Sequence, residues 1–102
     1  MAKKIINGKM YNTETAKEIA YYWNGYCGND FRSMSETLFL KKTGEYFLYG
    51  SGGPLSKYGE DYGREKTWGD KFIPMSEDKA KKWCMANLDA NEYIEIWGEV
   101  EE

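Results

Sequence analysis

Histidine is absent from this 102-residue chain, and no other absence excludes as much chemistry. No Ser-His-Asp or Cys-His nucleophile can form, there is no imidazole general base, and zinc sites that use an imidazole are ruled out. The two cysteines, Cys27 and Cys84, lie far apart and make no Cys-x-x-Cys pair, so they do not replace those ligands. They are expected as free thiols, Cys84 packed on a helix and Cys27 in a loop, in keeping with an intracellular setting. Long apolar runs are missing too. Nothing approaches the roughly 18 residues that cross a bilayer, and MAKKIINGKMY carries charge where a signal peptide needs an apolar stretch. The expectation is a cytoplasmic chain that is not an enzyme, with no cofactor, no metal and no membrane partner.

What is present is aromatic and acidic. Nine Tyr, four Trp and four Phe make 17% of the residues, more ring surface than one small core needs, so some rings should lie outside. The net charge of -3 is uneven: residues 1 to 51 hold seven bases and five acids, and residues 52 to 102 hold seven bases and twelve acids. The last fourteen residues carry Asp89, Glu92, Glu95, Glu99, Glu101 and Glu102 with no base. From Tyr93 these residues alternate, with Ile94, Ile96 and Val100 on one side and Tyr93, Glu95, Trp97 and Glu99 on the other. Such alternation predicts a closing strand with an acidic, aromatic outer face. A face of this kind repels nucleic acid and suits a basic protein.

One α+β domain spanning residues 1–102 is expected, with an antiparallel sheet, two helices and the order βαββαβ, ferredoxin-like or related. Lys3 to Tyr11 reads as two extended pieces around Asn7-Gly8. A helix capped by Asn12 or Thr13 follows, because Ala16, Ile19, Ala20 and Trp23 recur at helical spacing before Asn24-Gly25. Tyr26 to Glu36 has loop composition. Thr37 to Lys42 and Glu45 to Tyr49 form a hairpin around Thr43-Gly44, apolar on both faces, with helix on one side and the other side open to a partner. Leu55 to Pro74 is expected as an extended functional loop with a short strand near Lys71 to Ile73. Ser76 then caps a helix with Ala80, Trp83, Cys84 and Leu88 as its stripe.

Three constellations bear on chemistry. Gly50 to Gly53 is followed by Pro54 and not by a GK[ST] helix start, so it reads as a strand exit and not a phosphate cradle. Glu60, Asp61 and Glu65 cluster in a loop without the spacing of a calcium site. Lys57, Tyr58, Tyr62, Arg64, Lys66 and Trp68 interleave bases with rings, as a surface that stacks exposed bases would. The neighbouring Glu60, Asp61, Glu65 and Asp70 offset that positive charge and leave little counterion-release drive.

Three stretches, KIINGKMYNTETAKEIA, ETLFLKKTGEYFLYGSGGPLSKYG and IPMSEDKAKKWCMANLDANEYIEIWGEVEE, together resemble a family of small proteins of phages and mobile elements of Gram-positive bacteria. Some members of that family are anti-CRISPR proteins, inhibitors of type II RNA-guided nucleases. The resemblance covers nearly the whole chain and carries no catalytic motif. It implies a bacterial-cytoplasmic inhibitor that binds the nuclease stoichiometrically and blocks guide-RNA loading or target-DNA entry. In that reading Glu92, Glu95, Glu99, Glu101 and Glu102 meet basic groups of the nuclease, with Tyr93 and Trp97 at the contact centre. The alternative is a small nucleic-acid-binding protein that holds RNA, guide RNA included, through the loop 57–68.

Overall fold

The computed structural model describes residues 2–100 and, for Tyr62, the backbone alone. Eight strands come first and two helices last: β1 (Lys3–Ile6), β2 (Lys9–Asn12), β3 (Lys17–Trp23), β4 (Met34–Leu40), β5 (Tyr46–Gly52), β6 (Glu60–Tyr62), β7 (Glu65–Thr67), β8 (Gly69–Met75), α1 (Glu77–Asn87) and α2 (Ala90–Trp97). The α+β class stands, but the βαββαβ, ferredoxin-like order does not. Among the described residues no helix separates the strands, and the central sheet is four-stranded and antiparallel in the order β3-β4-β5-β8. No described helix is long and apolar enough to cross a membrane.

Two elements differ in kind from their sequence reading. Residues 17–23, expected as helix, form β3, whose pairing with β4 shifts register between Glu18 and Ala20. That bulge puts Ile19 and Ala20 both against the helix-side core, so the buried positions no longer alternate. Ala16, packed with Phe39 and Phe47, and Trp23, on the open face, lie on the opposite side, so the apparent helical stripe joins residues of two faces, and the run Tyr21-Tyr22-Trp23 suits a strand. Conversely, the acidic segment expected as a closing strand is α2. Asp89 accepts from the backbone N–H of Glu92, and the Glu92 side chain accepts in turn from the Asp89 N–H, a complete capping box.

The remaining elements follow local chemistry. Asn7 and Gly8 both take positive φ, 51° and 79°, as the tight turn joining β1 to β2 requires. The hairpin β4–β5 runs in register from Met34 opposite Gly52 to Leu40 opposite Tyr46. The expected strand near Lys71 to Ile73 lies inside β8, and the loop before it holds the small β6–β7 hairpin. Ser76 caps α1 by accepting from the Lys79 N–H. Cys84 is a buried free thiol and Cys27 an exposed one.

Both helices cover one face of the sheet. There Leu38, Leu48, Ala80, Trp83 and Cys84 are buried together, with Ile73, Met75, Tyr93, Ile96 and Trp97 against them. The hairpin β1–β2 covers part of the opposite face, where Tyr11 meets Phe47 edge-on at 5.4 Å and Phe39 stacks on Phe47 at 5.1 Å. The hairpin covers only one end of that face. In the next stretch of the sheet, Tyr21, Trp23 and Trp68 are exposed.

Candidate functional site

Glu36 is 1% exposed on the helix side of β4. Its carboxylate accepts from the Trp83 indole N–H at 2.9 Å and from the Tyr58 hydroxyl, and it pairs with the Lys57 ammonium at 2.6 Å. Burial alone would raise its pKa, but the hydrogen bonds from Lys57, Tyr58 and Trp83 together hold it below the ordinary carboxyl range. The same burial and the facing carboxylate push the Tyr58 hydroxyl far up. The Tyr58 ring lies over Gly50, where a Cβ would overlap it, so the glycine is required by close approach. These groups satisfy one another and leave no free acid, base or nucleophile.

The network also redefines the loop 57–68. Lys57 and Tyr58, two of its six candidate nucleic-acid ligands, are committed to Glu36. Arg64 and Lys66 are exposed on the β6–β7 hairpin beside the exposed Glu60, Asp61 and Glu65, and Trp68 is exposed on the far side of the sheet. The side chain of Tyr62 lies outside the described residues. No group of three His, Cys, Asp or Glu side chains that could hold a metal forms among the described residues.

The acidic terminus is rearranged more deeply. On a helix, Tyr93, Ile96 and Trp97 share the face turned to the core, so Tyr93 and Trp97 are not the outward pair that a strand would present. Trp97 packs on Tyr46 at 5.4 Å between ring centroids, and the Lys81 ammonium sits over it at 5.3 Å. Its indole N–H is buried without a conventional acceptor and lies beside the Cys84 sulfur. Glu92, Glu95 and Glu99 remain exposed, and none of the ion pairs among the described residues includes them. Lys81, which sits over the Trp97 ring, pairs with Glu77 at 3.6 Å. Glu101 and Glu102 lie outside the described residues.

Other apolar groups occupy the place expected of the two rings. Met85 and Val100 are 61% and 60% exposed and Ile94 is 37% exposed, and with Leu88, Ala90 and Tyr93 they line a shallow groove of about 370 Å³ between α1 and α2. Asp89 opens on the same groove. An apolar centre with a charged margin is the anatomy of a protein-binding patch. Met85, on the correctly read α1, lies outside that helix's expected stripe, whereas strand alternation put Ile94 and Val100 on the side expected to be buried because it assigned the wrong period to their segment. The Asp89-x-x-Glu92 capping signal was the feature that could have corrected it.

A second concavity lies on the open end of the other sheet face. It has a volume of about 590 Å³ and its lining includes Tyr21, Trp23, Ser35, Tyr49, Ser51, Trp68 and Asp70. Four of these form one row across the sheet, since Trp23 pairs with Ser35, Ser35 with Ser51 and Ser51 with Asp70. The Tyr49 hydroxyl donates to Asp70 at 2.6 Å, and burial together with that carboxylate pushes the Tyr49 pKa up to about 12.

The fold is that of a small α+β domain with two unlike exposed faces. No protein-family model, curated protein or solved structure matches the chain.

Proposed function

We propose that this protein is a stoichiometric inhibitor that binds a cationic groove on another protein, and specifically an anti-CRISPR protein acting on a type II RNA-guided nuclease. The observation that carries the reading is the surface of α2 and the residues just after it: Glu92, Glu95 and Glu99 are exposed without ion-pair partners among the described residues, in the same segment as the exposed Ile94 and Val100. Unpaired carboxylates keep their long-range field and steer association with a basic partner. Desolvated apolar groups at the centre supply affinity. A nuclease that holds guide RNA and target duplex in positive channels offers such a groove, and the family resemblance points to the same class of partner. Binding there blocks guide loading or target entry without turnover.

The test is charge reversal. Glu95→Lys combined with Glu99→Lys leaves the thermal midpoint within a few degrees of the parent, because both positions are exposed. Binding to the nuclease weakens about tenfold or more and its salt dependence flattens. Size-exclusion of the wild type with apo and with guide-loaded nuclease identifies the blocked step by which form co-elutes. Unchanged inhibition by the double variant would remove α2 from the contact. The nucleic-acid reading predicts instead that the wild type retards RNA in a gel and that Arg64→Glu with Lys66→Glu abolishes the shift.

A further inference from the structure

We propose that the open sheet face is a second recognition site, and that it takes an arginine side chain presented by a partner polypeptide. The site lies on the face opposite the helices and does not depend on the role of α2.

The argument begins with register. Trp23, Ser35, Ser51 and Asp70 occupy paired positions on four neighbouring strands, so their side chains rise from one face in a row about 14 Å long. One end is a ring, the middle is two small hydroxyls and the far end is a carboxylate. Tyr21 and Tyr49 stand in the next row, and Trp68 closes the carboxylate end. Small side chains between large ones make the row a trough.

Two of the rings are held in place. Trp23 is 50% exposed, yet its indole N–H donates to the Tyr26 carbonyl at 2.7 Å. Tyr49 is anchored through its hydroxyl to one oxygen of Asp70, and no protein donor reaches the other oxygen of that carboxylate among the described residues. A preorganised ring loses less freedom when a ligand docks on it.

Charge selects the ligand. Among the described residues Asp70 is the one acidic residue in the lining and no Lys or Arg contributes to it; Lys3, Lys4 and Lys71 line the adjoining concavity on the other side of Asp70, so the trough itself gives a phosphate no cationic partner. Electron-rich ring faces and a carboxylate together favour a cation. A guanidinium fits better than an ammonium: it is flat enough to stack on Trp or Tyr, and its several donors can reach the free Asp70 oxygen and the Ser51 hydroxyl at once. The mixture of Tyr, Trp, Ser and Gly is also the composition of surfaces that recognise proteins.

The chain's four tryptophans provide the readout, because Trp23 and Trp68 line the trough while Trp83 and Trp97 pack beneath the helices. The full-length protein, labelled with nitrogen-15, is titrated with a blocked Gly-Arg-Gly peptide and separately with its citrulline counterpart, which has nearly the same shape without the charge. The expected result is movement of the Trp23 and Trp68 indole signals with the arginine peptide, unmoved Trp83 and Trp97 signals, and a much weaker response to citrulline. Asp70→Asn should raise the apparent Kd about tenfold, the size of one lost charge-assisted hydrogen bond, with an unshifted Trp83 signal reporting an intact fold. Tyr49→Phe releases Asp70 from its internal donor and should bind at least as tightly as the parent. Equal responses to arginine and citrulline, or none at millimolar arginine peptide, overturn the proposal. So does movement of the two trough signals by oligouridylate or cellobiose and not by arginine.

Discussion

The two ends of strands β4 and β5 belong to one sheet face and yet meet opposite fates. At one end Phe39 and Phe47 stack and the hairpin β1–β2 lays Tyr11 and Ile6 over them. At the other end Ser35 and Ser51 occupy the equivalent positions and no hairpin among the described residues covers them. The strands are continuous and paired in register throughout, so backbone hydrogen bonding does not separate the two ends. Side-chain size does. Rings at 39 and 47 create apolar area that is worth covering, about 1.5–3 kcal/mol for each large side chain buried. Serines create none, and the uncovered end is left as a trough bordered by tyrosine and tryptophan. The difference teaches that this chain places its aromatic residues in two ways on one surface, as core where a hairpin meets them and as exposed rings where none does.

The largest effect should follow from attacking the covered end. Phe47→Ala removes a side chain with no exposure and three aromatic neighbours, Tyr11, Phe39 and Phe72. Urea denaturation should show a loss of about 3–5 kcal/mol. A loss under about 1 kcal/mol would mean that the two ends do not differ in the way described.

A smaller and pH-dependent effect tests the reverse face, where Glu36 carries the polar network. Glu36→Gln keeps the shape but weakens the bonds from Tyr58 and Trp83 and the pairing with Lys57, for an expected loss of about 1–3 kcal/mol at neutral pH. Because the folded protein holds the Glu36 pKa below its ordinary value of 4.5, the carboxylate stabilises the fold fully above that value. The contribution disappears as pH falls through the lower, folded value. The gap between parent and variant should therefore narrow in acid. A gap that stays constant down to pH 3 would show that Glu36 acts through shape alone.

The smallest effect belongs to the open end. Tyr21→Ser removes a ring that is 54% exposed, and stability should move by no more than about 0.5 kcal/mol. A drop comparable to that of Phe47→Ala would show that the trough is part of the core and has no rings to spare for a partner.

Legibility from the sequence followed the reach of the forces involved. The β4–β5 hairpin, the Asn7-Gly8 turn and the Ser76-capped helix were readable because each is decided by residues within a few positions of one another. β3 was not, since a bulge against β4 places Ile19 and Ala20 on the same side while Ala16 and Trp23 fall on the other, and short-range spacing does not separate that arrangement from a helical stripe. In α2 two local signals competed. The alternation from Tyr93 to Glu99 suggested a strand, while Asp89 with Glu92 favoured a helix whose inner stripe is Tyr93, Ile96 and Trp97. Of the acidic candidate surface, Glu92, Glu95 and Glu99 were foreseen as outward residues, and the rings foreseen with them turned inward.

By itself the sequence determined the absence of histidine chemistry, the excess of rings over what one core can hold, and the gathering of acids toward the carboxyl end. Those are properties of composition and order, independent of folding. The tertiary structure alone decided that Glu36 would be buried among Lys57, Tyr58 and Trp83, that Trp97 would turn inward, and that Trp23, Ser35, Ser51 and Asp70 would line up across four strands. Each of these depends on strand register and on which face a helix covers, and such long-range pairings come from the packing of the whole chain.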